Sequence, residues 1–542
     1  MFGYIYGHIK QMSLSPLGWV AGLLGVVFVR FLLESVSNPS SSGLFAVDTP
    51  TLLHYFLFFV TLGLFIMIFL KLFVPELLPH IHKLTIFSLA GLWIAPIVDL
   101  VANGASGSPM VYILNSFTGI IKSSIYFFSS NAPFGSTLGL QVEIAIILVC
   151  IFLLIYKFSK DVWKSLGGTL FFYAVLFVLV SMPSIPAIIF SSVSGPADVI
   201  EFLQRSIAGS ATVFNNLEGS LEYSDSNKFL DVGFNFMIGR IFLFISIILT
   251  FVWFWMTENR LLRAIIKNSR PERVANYLLL VLFGVFFALR QFGNISLNWN
   301  DYLSALSLLV SIYFSIMFAI CINDIEDVEI DKLTNQDRPL ATGGASKEEL
   351  RAASKIFLII SIIAGYLSGS PVFFFTLVFT SLYYIYSSPP TKYKIIPFLS
   401  SFIIGLCCIV VFLAGFFLVS PVKLVSIIPN SLVVGIFLFF FLFWHVRDVK
   451  DIKGDRKENI ITAPVLFGEK WGLKATAVIS SLAFFVPPII SGIKLFWIPS
   501  VLASLFCYYF ITTEERGGKY SEKPIFGVYL LYIISLAIIY LS

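Results

Sequence analysis

Apolar runs of about twenty residues, set apart by short polar stretches, repeat along almost the whole 542-residue chain. About twenty apolar residues is the length an α-helix needs to cross a hydrocarbon core of about 30 Å. The pattern predicts about six spans before Glu258, near 17–35, 51–74, 84–102, 138–158, 165–192 and 235–256. About nine follow, near 274–290, 302–322, 353–369, 371–388, 396–418, 430–447, 473–492, 495–511 and 524–541. The expected fold is an all-α integral membrane protein of about 15 transmembrane helices, since closed backbone hydrogen bonding is obligatory in lipid. Between the two sets lies Glu258 to Arg273, a polar stretch carrying Arg260, Arg263, Lys267, Arg270 and Arg273 around the helix-breaking Pro271. It divides the chain into an N-terminal membrane domain over 1–257 and a second domain over 258–542. The mixed segments near 109–130 and 197–217 read as interfacial helices, and the first run as a retained span because no cleavage site follows it.

Composition narrows the class. With 58% hydrophobic and only 12% charged residues, a soluble globular chain is excluded and the lipid bilayer is the expected surrounding. Basic residues sit in short clusters between spans, with no basic face interleaved with aromatics, which argues against nucleic-acid binding. The five cysteines fall in or beside apolar runs without C-x-x-C spacing and read as packing residues. By the positive-inside rule the polar divider is cytoplasmic. Basic residues then load the same side of the second half, at Lys332, Arg338, Lys347 and Arg351, at Lys392 and Lys394, and at Arg447, Lys450, Lys453, Arg456 and Lys457. Opposite loops offer little beyond Lys423 and Lys494. The expected setting is the plasma membrane of a prokaryote, with the chemistry facing the cytoplasm.

Two acidic stripes carry that chemistry. Asn323, Asp327 and Asp331 recur every four residues and Asp324 lies three before Asp327, which places them on one helical face. Like charges at this spacing repel unless cations bind, and an all-oxygen set without Cys or His suits Mg²⁺. A second stripe places Asp448, Asp451 and Asp455 at i, i+3 and i+7, interleaved with Lys450, Lys453, Arg456 and Lys457. Between the stripes, Tyr386-Ser387-Ser388-Pro389-Pro390-Thr391-Lys392-Tyr393-Lys394 ends a helix at Pro-Pro and presents two lysines at the same mouth. Two Asp-rich helix ends facing each other would hold two or three Mg²⁺ against one diphosphate, with Lys and Arg on the remaining oxygens.

N-D-x-x-D-x-x-x-D followed by Asp337-Arg338-Pro339-Leu340-Ala341-Thr342-Gly343, then Y-S-x-P-P, then D-x-x-D-x-x-G-D-R, then Thr462-Ala-Pro-Val-Leu-Phe-Gly468, resembles the UbiA superfamily of intramembrane prenyltransferases. The likeness covers about residues 263–542, and the nine later spans match that superfamily's nine-helix bundle. It implies transfer of a polyprenyl group from a prenyl diphosphate donor to a hydrophobic acceptor, with Mg²⁺ held by both motifs in a cavity open to lipid. Carried over by position, Asn323, Asp324, Asp327 and Asp331 would be metal ligands of the first motif. Asp451 and Asp455 would be ligands of the second, with Asp448 beside them, and Asp324, Asp327, Asp451 and Asp455 would carry catalysis. Arg338, Lys392, Lys394 and Arg456 would hold diphosphate. Lys392-Tyr393 departs from the usual Arg-Leu, and Ala341-Thr342 from the frequent Pro-Ser.

An allylic cation would need a dry pocket with aromatic faces. Phe373, Phe374, Phe375, Tyr383 and Tyr384 are candidates, although with 58 Phe in the chain most such rings face lipid or other helices. His445, one turn before Asp448, is either a packing residue or a neighbour of the second metal. The acceptor is an aromatic or quinone precursor, or a glycerophospholipid precursor. Competing readings are a lipid or isoprenoid transporter and a UbiA-type terpene cyclase. In the first half, Arg30, Asp99, Glu143 and Arg240 fall within or near spans, where charges pair or line a polar cavity. The expected cluster joins Asp99 or Glu143 to Arg240.

Overall fold

The computed structural model describes residues 7–9, 11–37, 49–103, 116–129, 136–194, 199–212, 226–388, 391, 393–450, 452–457, 460–513 and 520–541. Among them there is no strand, and fifteen helices are long and apolar enough to cross a membrane. The first six are α1 (Pro16–Ser37), α2 (Thr49–Phe73), α3 (Pro75–Ala102), α4 (Leu138–Ser159), α5 (Val162–Ser181) and α6 (Leu230–Thr257). The other nine are α7 (Pro271–Phe292), α8 (Trp299–Glu326), α9 (Lys347–Ser368), α10 (Ser370–Ser387), α11 (Leu399–Val419), α12 (Asn430–Val449), α13 (Trp471–Ser491), α14 (Lys494–Ile511) and α15 (Lys523–Tyr540). The run expected over 165–192 stops at Ser181: Met182 keeps helical angles (φ −53°, ψ −38°) but its N–H turns to the Leu179 carbonyl at 3.2 Å, Pro183 has no N–H to continue the ladder, and a new helix starts at Ser184. The chain forms two compact units, one of Met1–Asn259 with Asn298–Leu303, the other of Arg260–Leu297 with Ser304–Ser542.

In the first unit, α2 lies along α6, stitched by a Thr61–Ser246 hydroxyl pair at 2.9 Å and by His54 and Asn235 at 2.9 Å. The predicted pairing of Arg240 with Asp99 or Glu143 is not what forms. Arg240 donates to the Asn300 side chain at 2.8 Å, and Asp99 accepts from the Gly139 backbone N–H at 2.7 Å. Glu143 instead receives Arg30, at 3.2 Å from each carboxylate oxygen. Sequence alone does not tell which helices are neighbours, so the cation of the pair was misassigned.

The second unit is built around α11, the most enclosed of the spans in that unit. Two glycines let α7 touch it backbone to backbone. A Cβ on Gly284 would fall 2.1 Å from the Phe412 carbonyl oxygen, and one on Gly415 would fall 2.0 Å from that of Val281. In lipid, such close approach through small residues replaces the hydrophobic drive for helix association. A seam of hydroxyls does the same for α8, α9 and α10. Ser311 Oγ donates to the Ser361 carbonyl at 2.7 Å, and Ser315 Oγ lies 2.5 Å from Ser361 Oγ and 2.8 Å from Thr380 Oγ1. Together these contacts fix the ends of α7, α8 and α10, which carry the polar residues described next. Replacing Gly284 or Gly415 with leucine is expected to destabilise the unit by about 1–3 kcal/mol or more, read as a fall in the thermal unfolding midpoint of the purified protein, whereas Gly527→Leu, which meets nothing within 4 Å, leaves it in place.

Candidate active site

The acidic stripe survives an interruption of its helix. α8 ends at Glu326, Asp327 sits outside helical geometry at φ −102° and ψ 17°, and a short helix resumes over Val328–Thr334. Backbone N–H groups still reach four residues back, Asp327 to Asn323 at 2.9 Å and Asp331 to Asp327 at 2.8 Å. The three side chains therefore stay on one face, where they line a single cavity with Asp448 and Asp455. The second stripe is not one helix as expected. Asp448 lies on the 3₁₀ turn Trp444–Val449 and Asp455 on the short helix Ile452–Lys457. Asp455 is held by the Thr462 hydroxyl at 3.2 Å. Asp451 and Lys392 lie outside the described residues.

Basic side chains share this wall. Arg270, Arg273, Arg338, Lys394 and Arg447 face the cavity beside the four carboxylates of Asp327, Asp331, Asp448 and Asp455. Lys394 sits on the 3₁₀ turn Tyr393–Ile395, where its ammonium pairs with Asp327 and donates to Asn323 Oδ1 at 3.1 Å. Arg447 lies 5.2 Å over the Tyr386 ring and hydrogen-bonds its hydroxyl. Its Nε is 3.6 Å from Asp448. Arg273 pairs with Glu522 at 3.1 Å, and Lys450 meets the same carboxylate at 2.8 Å. With these pairs in place the cavity has a volume of only about 100 Å³. Beneath the ionic mouth, Ile316, Ala319 and Ile320 and the rings of Tyr383, Tyr386 and Trp444 form its deeper wall. Of the five aromatic candidates only Tyr383 lines it. Phe374 and Tyr384 are exposed, Phe375 stacks on Phe417, and Phe373 meets Tyr366 edge-on.

Asp324 is set apart from the other acidic residues. Buried to 1% exposure, it does not reach the cavity wall but accepts from Asn268, from Arg270 at 2.5 Å and from Arg338 at 2.8 Å. In this structure it organises the arginines. Arg270 is bent into that cage with φ 49°, a left-handed conformation costly for a residue with a Cβ. Arg338, expected on diphosphate, is thus steadied from behind while still facing the cavity. Arg456 is half-buried and off the wall, and His445 Nδ1 lies 3.2 Å from Ser401 Oγ and 3.9 Å from Asp448 Oδ2, with edge-on rings of Phe398 and Phe441 around it. Sequence reasoning missed Arg273, Asn335, Arg447 and Trp444 as cavity residues. The signals were the charge of Arg273 in the first turn of α7, three residues after Arg270, and the adjacency of Arg447 to Asp448.

The donor set suits a hard cation. Asp327 Oδ1 and Asp331 Oδ2 are buried and have no hydrogen-bond partner among the described residues. No three acidic or histidine side chains among those residues converge on one point. The two open carboxylate oxygens suit Mg²⁺, which is held by one or two carboxylates and completed by water and substrate phosphate rather than by an all-protein cage. Burial pushes the Asp331 carboxyl up to about 7, and the charges of Asp324 and Asp327 add to the rise. Ligation needs its deprotonated form, so Mg²⁺ affinity is expected to strengthen as pH rises through 7 and to weaken by up to about tenfold per unit below it. Calorimetric titration at pH 6 and pH 8 checks the sign. Asp324→Asn is expected to lower activity about 10–100-fold while changing Mg²⁺ affinity less than Asp327→Asn does, as measured on the two purified variants.

Residues 277–531 match the model of the UbiA prenyltransferase family. The digeranylgeranylglyceryl phosphate synthase of Methanocaldococcus jannaschii is 30% identical over 218 residues, covering 39% of this chain and 73% of that protein. The same enzyme of Sulfolobus acidocaldarius is 27% identical over 225 residues, 40% of this chain and 78% of its own. Among solved structures, a UbiA homolog from Archaeoglobus fulgidus bound to GPP and Mg²⁺ is 22% identical and covers 51% of this chain and 97% of that one, with a TM-score of 0.39.

Proposed function

The chain belongs to the UbiA prenyltransferase family, and on that premise we propose that its second unit moves a polyprenyl group from a prenyl diphosphate to a glycerophosphate-type lipid precursor, releasing diphosphate with the help of Mg²⁺. The observation that carries this reading is the pair of buried carboxylate oxygens without donors, on Asp327 and Asp331, in the same wall as Asp448, Asp455 and five basic side chains. Asn323, Asp327, Asp331, Asp448 and Asp455 would hold the metal, with Asp451 beside them by motif position. When bound, Mg²⁺ lends positive charge to the departing diphosphate. The glycerophosphate acceptor is favoured over an aromatic one because the relatives named above are digeranylgeranylglyceryl phosphate synthases. The clustering of basic residues on the loops that carry both acidic motifs favours a site on the cytoplasmic face of a prokaryotic plasma membrane.

The chain's own groups divide the work. Arg270, Arg273, Arg338, Lys394 and Arg447 place fixed positive charge where the leaving group becomes negative, and in a cavity screened from water that charge is far more effective than in solvent. The carbon left behind is an allylic cation. Tyr383, Tyr386 and Trp444 offer it ring faces, and Ile316, Ala319 and Ile320 keep water from capturing it. Lys394 has a double duty, since it holds Asp327 and Asn323 in place and its ammonium, on the cavity wall, is within the site that a phosphate would enter.

Asp327→Asn and Asp455→Asn are each expected to slow Mg²⁺-dependent diphosphate release about 100- to 1,000-fold in protein that still inserts and purifies as wild type. Undiminished release by both would refute the site. The same assay separates the alternatives, because a cyclase consumes donor with no acceptor added and a transporter moves lipid without releasing diphosphate.

A further inference from the structure

The first unit holds a second cavity, about 570 Å³ in volume and walled by side chains from α1 to α5. Its lining is almost wholly apolar, with the buried rings of Phe58, Phe59, Phe127 and Phe172 prominent in it. The volume lies within the range of about 300–1,000 Å³ typical of small-molecule sites. At about 30 Å³ per water-sized group, it accommodates one hydrocarbon chain of roughly twenty carbons.

The wall contains a built feature. α3 is broken by a 3₁₀ turn over Ala90–Trp93, and Gly91 and Leu92 of that turn line the cavity. Backbone groups freed by a break inside a membrane must find partners. Arg30 Nη1 donates to the Leu92 carbonyl at 2.5 Å, and the Ala95 N–H donates to Glu143 Oε2 at 2.9 Å. The Arg30–Glu143 pair, itself on the cavity wall, thus takes up both freed backbone groups beside the apolar space. Interrupted spans of this kind occur where backbone lines a ligand cavity rather than lipid.

We propose that this cavity binds the isoprenyl chain of a prenyl lipid, so that the first unit is a binding module for the donor or the product of the reaction assigned to the second. The inference rests on that assignment for the identity of the occupant. Arg30 already faces two carboxylates, Glu34 at 2.8 Å and Glu143 at 3.2 Å. The wall therefore offers no uncompensated cation to a phosphate, and recognition falls on the hydrocarbon while the head stays outside. Flat, methyl-branched alkene units lie well against aromatic rings, and the wall is rich in phenylalanine. A straight acyl chain has no π face to use them.

Cys150 provides the test. It lines this cavity and is the one exposed cysteine of five, the other four being buried. The full-length protein in detergent micelles is treated with N-ethylmaleimide in the presence of a C20 prenyl diphosphate, a C20 prenyl glycerol ether or a dipalmitoyl phospholipid, and Cys150 modification is followed by mass spectrometry. At ten times its Kd a prenyl compound is expected to slow alkylation about tenfold, with no protection from the phospholipid. Protection by the diphosphate assigns the donor, and protection by the ether assigns the product. No protection by either, or equal protection by the phospholipid, overturns the proposal. Parallel turnover assays keep the two readings apart. Protein that transfers prenyl groups but shows no protection loses this inference alone, and protein that is protected but inactive loses the proposed function alone.

Discussion

A carboxylate held among membrane helices has to be answered by a cation or by hydrogen-bond donors, and the cationic answer organises the second unit around residues 323–338. Asp324 is answered by Arg270 and Arg338, and Asp327 by Lys394. These pairs join the first turn of α7, the end of α8 and the turn after α10. Leaving any one of them uncompensated in such surroundings is costly, on the order of 3–5 kcal/mol for a buried pair with one partner removed. The cavity that these pairs border has a volume of about 100 Å³. Mg²⁺ and diphosphate arriving together would preserve the balance, the metal taking carboxylates and the phosphates taking the released cations.

Such an exchange needs a frame that does not move with it. The glycine contact between α7 and α11 and the hydroxyl seam joining α8, α9 and α10 rest on backbone approach and hydrogen bonds that no ligand disturbs. The first unit applies the same rule to another end. There the Arg30–Glu143 pair compensates itself and satisfies the backbone of a broken helix, and the space beside it stays apolar.

The spans were legible because hydropathy over twenty residues integrates many side chains, and only the stop at Ser181 depended on a single Pro183. The shared face of Asn323, Asp327 and Asp331 was legible because four-residue hydrogen bonds continue through the break at Asp327. The surroundings of Asp324 were not, because spacing on a helix cannot show that an arginine 54 residues earlier and another 14 residues later both turn toward it. The same holds for Glu143, whose partner Arg30 lies 113 residues away on a helix that sequence does not place beside it. Asp448 and Asp455 were expected on one helix. Their residue types pointed to the right cavity, but the local backbone, a 3₁₀ turn and then a short helix, is set by packing around Trp444 and Val449 that the charge pattern does not encode.

Under the proposed function, Lys394 holds Asp327 until phosphate arrives, and Asp324 clamps Arg270 and Arg338. An experimental structure of the full chain with Mg²⁺ and a non-reactive prenyl thiodiphosphate tests this account most directly. Metal is expected on Asp327 and Asp331, with the Lys394 ammonium transferred to a phosphate oxygen and Asp324 still joined to Arg270. Metal bound directly by Asp324, with Lys394 still paired to Asp327, would contradict it.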